Sequence, residues 1–186
     1  MKSIFEIRIH GRAGQGAKTL AQFVAQAAME KGKFIQAFPS YSADREGAPM
    51  EAYVRISTKP ILLHCAVLNP DLMIIIDPTL LDLEEVKLGL DSSDIFLANT
   101  KLSQKDLQHK LKTKAKVYTL DASGISRGIL GKDFPNIVLL GAFSKITNYI
   151  QLKDLEKIVY KKFERKLGKE MTEKNIEAMR RGCESI

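Results

Sequence analysis

Gly11, Gly14 and Gly16 stand in the stretch GRAGQGAKT, Gly11 to Thr19, where an apolar run ends and a helical pattern begins. Glycines at this spacing let the chain turn sharply and leave backbone N–H groups uncovered at the start of the next helix, an arrangement that attracts anions. A nucleotide-hydrolysing P-loop needs its lysine directly after the last glycine, whereas here Ala17 precedes Lys18 and Thr19. A dinucleotide fingerprint reads GxGxxG, with an acid near the end of the second strand. The order here is GxxGxG, and the strand ends Ile35, Gln36, Ala37, Phe38. ATP hydrolysis and NAD binding are both disfavoured. Arg12, Gln15 and Lys18 favour anion contact over the blander reading, a turn whose glycines only permit tight packing.

A second segment, Ala37 to Ser57, presents Tyr41, Asp44, Arg45 and Glu46 in a polar loop between Pro39 and Pro49. Loops at strand ends of open sheets carry ligands, but taken without context Asp44, Arg45 and Glu46 read more readily as a surface charge cluster in a solvated turn. His10 and His64 sit beside apolar strands, as satisfied strand-end histidines do, and no Ser/His/Asp or Cys/His arrangement is present. No catalytic residue is therefore assigned. Cys65 and Cys183 are the only two cysteines and form no CxxC, which argues against a zinc site or a four-cysteine iron–sulfur cluster held by this chain. No metal ligand is assigned either.

The elements that position these residues follow from periodicity. Ile4, Phe5, Ile7 and Ile9 form a β-type run, and Leu20, Phe23, Val24, Ala27 and Ala28 recur at helical spacing until Gly32. Phe34 to Phe38 reads as a second strand, and Tyr53 to Ile56 with Ile61 to Leu63 reads as a hairpin about Thr58 to Pro60. Apolar runs at Leu72 to Ile76, Ile95 to Ala98 and Lys116 to Leu120 are spaced for crossover helices. Leu152, Leu155, Ile158, Val159 and Phe163 mark a helix up to Gly168, and Met171 to Arg181 a shorter one. The expectation is an α/β fold: an open, mostly parallel sheet with helices on both faces, a β-hairpin insertion and C-terminal helices, in one domain over 1–186.

With 45% hydrophobic and 27% charged residues, the 186-residue chain has the composition of a globular domain. Its net charge of +7 is local. Asn99 to Tyr118 carries six lysines against Asp106 alone, with no aromatic platform before Tyr118, so nucleic acid is disfavoured. Glu6 and Arg8 interrupt the first apolar segment and argue against a signal peptide, and Leu72 to Ile76 is far too short to cross a bilayer. No membrane association and a cytoplasmic location are the expectations.

In order and spacing, EIRIHGRAGQGAKT, QAFPSYSADREGAPMEAYVRI and NPDLMIIIDPTLL resemble the gamma-subunit family of pyruvate and related 2-oxoacid:ferredoxin (flavodoxin) oxidoreductases. The likeness continues through FPNIVLLGAF, Phe134 to Phe143, to NIEAMRRGCE, Asn175 to Glu184. It departs mildly at Ser42, Asp44 and Cys183, where glycine, glutamate and an aromatic are common. The resemblance implies a hetero-oligomer with alpha, beta and delta subunits that oxidises a 2-oxoacid, pyruvate foremost, with coenzyme A to acetyl-CoA and carbon dioxide. Electrons would pass to ferredoxin or flavodoxin. Thiamine diphosphate, Mg and [4Fe-4S] clusters would belong to the partner subunits. It further implies a shared coenzyme A site, to which this chain brings Gly14, Gln15 and Gly16 by backbone contact, with Arg12 beside them, Arg45 as a phosphate partner and Asn136 from the FPN turn. Enzymes for 2-oxoglutarate or branched-chain oxoacids, and a stand-alone CoA- or nucleotide-binding regulatory module, are the alternatives.

Overall fold

Ile7 and Ile9 are fully buried on one side of β1 (Ile4–Arg12), while Arg8 and His10 alternate with them on the other. A computed structural model describes residues 4–40, 47–147 and 149–186. Its further strands are β2 (Phe34–Ser40), β3 (Pro49–Ser57), β4 (Leu72–Ile75), β5 (Ile95–Asn99) and β6 (Lys116–Leu120), in the sheet order β2-β3-β1-β4-β5-β6. The pairs β1–β4, β4–β5 and β5–β6 are parallel, and β3 is antiparallel to both β1 and β2. The sheet is thus mostly parallel with an antiparallel hairpin at one side, as expected.

The helices are α1 (Ala17–Glu30), α2 (Gln104–Leu111), α3 (Ala122–Leu130), α4 (Pro135–Thr147), α5 (Leu152–Leu167) and α6 (Lys169–Glu184). They cover both faces, but unequally. Against Ile7, Ile9, Val54 and Ile74 pack Phe23 of α1, Phe143 of α4 and Val159 of α5, with α6 behind. Each fully buried Phe here stabilises the fold by roughly 1.5–3 kcal/mol relative to exposure. The apolar core of the opposite face lies over β4 to β6, where Leu107 and Leu111 of α2 meet Met73, Ile75 and Phe96. α4 is buried along Ile137 to Phe143, with α6 lying against it at Gly141 and Gly182.

Two expectations are corrected. The hairpin pairs β3 with β2, Ile56 opposite Ile35, and not with Ile61 to Leu63. Ile56 also pairs with Phe5 of β1, so both edges of β3 are already filled. The segment after Pro60 instead satisfies its carbonyls with side chains: Gln36 Nε2 donates to Leu63 O at 2.7 Å, and Arg55 Nη2 to Ala66 O at 3.3 Å. Between β4 and β5 the connection is not a crossover helix but two short 3-10 turns, Pro78–Asp82 and Glu84–Lys87, held down by Leu80, Leu81 and Val86. Pro78 starts the first turn, where no N–H is needed, extended backbone at Leu83 and Leu88 ends the two turns, and Gly89 follows at φ +80°.

Candidate functional site at the glycine turn

After β1 the chain crosses to the hairpin side of the sheet, and after the hairpin it returns to β4 on the other side of β1. The carboxyl ends of β1 and β4 therefore form the switch point where open α/β sheets bind ligands. The glycine turn lies there. A β-carbon on Gly11 would lie in van der Waals contact with Ile76, and Ile76 N donates to His10 O at 2.8 Å.

Gly14 and Gly16 adopt φ of +97° and +85°, left-handed conformations that glycine reaches without steric cost. Gly16 caps α1, and Leu20 N is the first amide to reach back, to Gly16 O at 2.9 Å. The amides of Ala17, Lys18 and Thr19 precede it in the first turn of α1, at the helix end where the dipole favours negative charge. A second helix begins at the same place. Asn136, in the first turn of α4, is 6% exposed and packs so closely on Gly16 that a β-carbon there would meet its amide. The N-termini of α1 and α4 thus converge.

The side chains of Arg12 and Gln15 serve the turn itself. Gln15 Oε1 accepts from Arg12 N at 2.8 Å, and Gln15 Nε2 donates to Asp77 Oδ2 at 2.5 Å. Arg12 donates through Nη2 to Thr79 Oγ1 at 2.8 Å and through Nη1 to Gly47 O at 3.1 Å, with Nε 3.4 Å from Asp77 Oδ2. Asp77 Oδ1 accepts from Thr79 N at 2.8 Å and Thr79 Oγ1 at 2.6 Å. Burial pushes the Asp77 carboxyl up, but the donors from Thr79 and Gln15 and the Arg12 charge outweigh it and hold its pKa below the ordinary carboxylate value.

Two clefts flank Gln15. One, of about 520 Å3, is lined by Gln15, Asp77, Asn99, Lys101, Ser123 and Arg127. The other, of about 410 Å3, is lined by Gly14, Gly16, Lys132, Phe134, Asn136 and Phe163. Asn99 holds the first floor together: Nδ2 donates to Ile76 O at 2.8 Å and Ser123 Oγ at 2.9 Å, and Oδ1 accepts from Ser123 N at 3.1 Å.

Of the residues expected from sequence, Arg12, Gly14, Gln15, Gly16 and Asn136 lie together at this point, and Arg45 lies outside the described residues. Asp77, Thr79 and Asn99 join the site beyond the residues expected from sequence. Their signal is the DPT that directly follows the apolar run of β4, and the polar residue that ends β5. Among the described residues no group of three or more His, Cys, Asp and Glu is placed to hold a metal ion, and no helix is long and apolar enough to cross a membrane.

Residues 6–185 match the family described as pyruvate ferredoxin/flavodoxin oxidoreductase. The chain is 42% identical over its whole length to pyruvate synthase subunit PorC of Thermotoga maritima, covering 96% of that protein. It is 40% identical to the pyruvate/ketoisovalerate oxidoreductases common subunit gamma of Thermococcus kodakarensis, over 94% of this chain and 93% of the relative. The crystal structure of the Thermotoga maritima pyruvate oxidoreductase subunit PORC superposes with a TM-score of 0.88 at 40% identity, covering 99% of this chain and 97% of that one. A 2-oxoglutarate:ferredoxin oxidoreductase from Magnetococcus marinus shares the fold, at TM-score 0.82 and 21% identity, over all of this chain and 32% of the other.

Proposed function

Because the chain belongs to the pyruvate ferredoxin/flavodoxin oxidoreductase family, we propose that it is the gamma subunit of a thiamine diphosphate-dependent complex. That complex converts pyruvate and coenzyme A to acetyl-CoA and carbon dioxide and passes the electrons to ferredoxin or flavodoxin. In this reading the chain is one domain in the cytoplasm, bound to alpha, beta and delta subunits. Thiamine diphosphate, magnesium and the iron–sulfur clusters belong to those partners, and this chain forms one wall of the coenzyme A site.

The observation that carries the coenzyme A assignment is the convergence of α1 and α4. Gly16 and Asn136 bring two helix N-termini to one point, and Lys132 lines the cleft beside them. Backbone amides and dipoles at such an end suit a diphosphate. Gly14 and Gly16 supply amides, Gln15 and Arg12 hold the turn in shape, Asn136 donates from the second helix, and Arg45 is assigned as a phosphate partner.

The test is made on the assembled enzyme. Asn136→Ala should raise the KM for coenzyme A about tenfold, the worth of one hydrogen bond to a charged group, and leave the KM for pyruvate unchanged. An unchanged coenzyme A dependence would remove this chain from the site, and recovery of the chain from native cells as a lone monomer would remove the subunit assignment. Relatives named as gamma subunits common to pyruvate and ketoisovalerate enzymes favour a second substrate. Assay of the purified complex with pyruvate, 2-oxoisovalerate and 2-oxoglutarate decides among them.

A further inference from the structure

The second face of the hairpin side is polar and yet covered. Arg8 and His10 of β1, and Tyr53 and Arg55 of β3, are each 5% exposed or less on that face. The Arg8 guanidinium is turned to the carbonyls of Val67, Leu68 and Leu88. Two residues along β1, at the end nearest the glycine turn, a cleft of about 470 Å3 opens between the sheet and the two 3-10 turns. Its polar lining includes His10 and Glu51, and its apolar walls include Met50, Leu80, Leu83 and Val86.

The cleft offers acceptors. His10 Nδ1 stands 3.3 Å from Glu51 Oε1, and the Tyr53 hydroxyl donates to Glu51 Oε2. Desolvation, reinforced by the nearby Arg8 charge, takes the His10 pKa down to about 3, so the ring is neutral at pH 7. The tautomer that points its proton from Nδ1 at the carboxylate leaves a lone pair on Nε2. That atom is buried and has no hydrogen-bond partner. Glu51 keeps 31% of its side chain exposed, and Glu85 adds a second carboxylate at the mouth. Two carboxylates between aliphatic walls complement an aliphatic stem that ends in a cation.

Leu68, Leu83 and Leu88 surround this region and are 69%, 38% and 61% exposed. Leu83 lines the cleft, and the backbones of Leu68 and Leu88 are pinned by Arg8, so the leucines are displayed on a fixed frame. Apolar residues around a charged anchor point describe a protein interface better than a pocket for a small amine. We propose that this cleft seats a lysine or arginine side chain of a neighbouring subunit, whose apolar surface covers Leu68, Leu83 and Leu88. The proposal rests on the reading of this chain as a subunit of a larger enzyme.

Carboxylates are labelled with a carbodiimide and glycine ethyl ester, on the native complex and on the isolated chain, and read by peptide mass spectrometry. Glu51 should react in the isolated chain and be protected in the complex. Equal labelling in both would overturn the inference while leaving the complex intact, whereas a chain that purifies with no partner would overturn the subunit reading itself. Glu51→Gln should speed release of this subunit from the complex about tenfold or more, as loss of one member of a desolvated charge pair does. Protection of Glu51 combined with unchanged release of a folded Glu51→Gln variant would overturn the assignment of a cation.

Discussion

A β-carbon on Gly16 would stand 2.5 Å from Nδ2 of Asn136. The glycine therefore answers two demands, a positive φ and an absent side chain, whereas Gly14 answers only the first, since nothing lies within 4 Å of its position. Gly16→Ala should cost about 2 kcal/mol or more and displace Asn136, while Gly14→Ala should cost about 1 kcal/mol for its backbone strain alone. Urea denaturation of the two variants checks the order. In the assembled enzyme the KM for coenzyme A should rise more for Gly16→Ala than for Gly14→Ala.

Asp77 gathers Gln15, Thr79 and Arg12 into one network under the turn. Asp77→Asn replaces an acceptor with a donor facing other donors and should destabilise the chain by about 2 kcal/mol. The sign with pH follows from its lowered pKa. The ionised form is favoured in the fold, so the contribution is complete above the unfolded value of about 4 and is lost as pH falls through the lower folded value. The stability gap between wild type and Asp77→Asn should be flat from about pH 8 to pH 5 and close only below about pH 4. Chemical denaturation at a series of pH values reads it directly.

The strand, glycine turn and helix at the N-terminus were legible because alternation in β1 and the helical period of α1 are local signals, with Gly16 marking the joint. The runs of β4, β5 and β6 were legible for the same reason. What escaped depends on distant packing. Ile61 to Leu63 looks like a hairpin partner until β3 is seen to be paired on both sides. Arg8 reads from the sequence only as a charge that interrupts an apolar run, and only the return of residues 62–68 over the sheet buries it, through the Val67 and Leu68 carbonyls. Asp77 lies within NPDLMIIIDPTLL, but its role needs Gln15 beside it, across the switch point.

His10 should make the fold acid-sensitive. It is neutral in the folded chain down to about pH 3, whereas an exposed histidine in the unfolded chain takes up its proton near pH 6.5. Between these values the unfolded state binds the extra proton, so stability falls as pH is lowered. His10→Gln removes this term. The stability of wild type relative to His10→Gln should decline by about 1.4 kcal/mol per pH unit between roughly pH 6 and pH 4. Parallel urea titrations of the two proteins at pH 7, 6, 5 and 4 measure the slope, and parallel curves would show that the imidazole is not held neutral.

Gly141 of α4 and Gly182 of α6 face each other's helices at backbone distance: a β-carbon on Gly141 would overlap Met179 O, and one on Gly182 would overlap Val138 O. Neither has a positive φ, so both positions are ordinary helix and the requirement is for space. Alanine would gain about 1 kcal/mol in helix propensity at either site, against overpacking of about 3 kcal/mol where the obstacle is backbone and cannot swing aside. Gly141→Ala and Gly182→Ala should each destabilise the chain by about 2 kcal/mol net. Because both open the same helix pair, the double variant should lose less than the sum of the two. Additive losses in a double-mutant cycle of unfolding free energies would show that the two glycines do not share one contact.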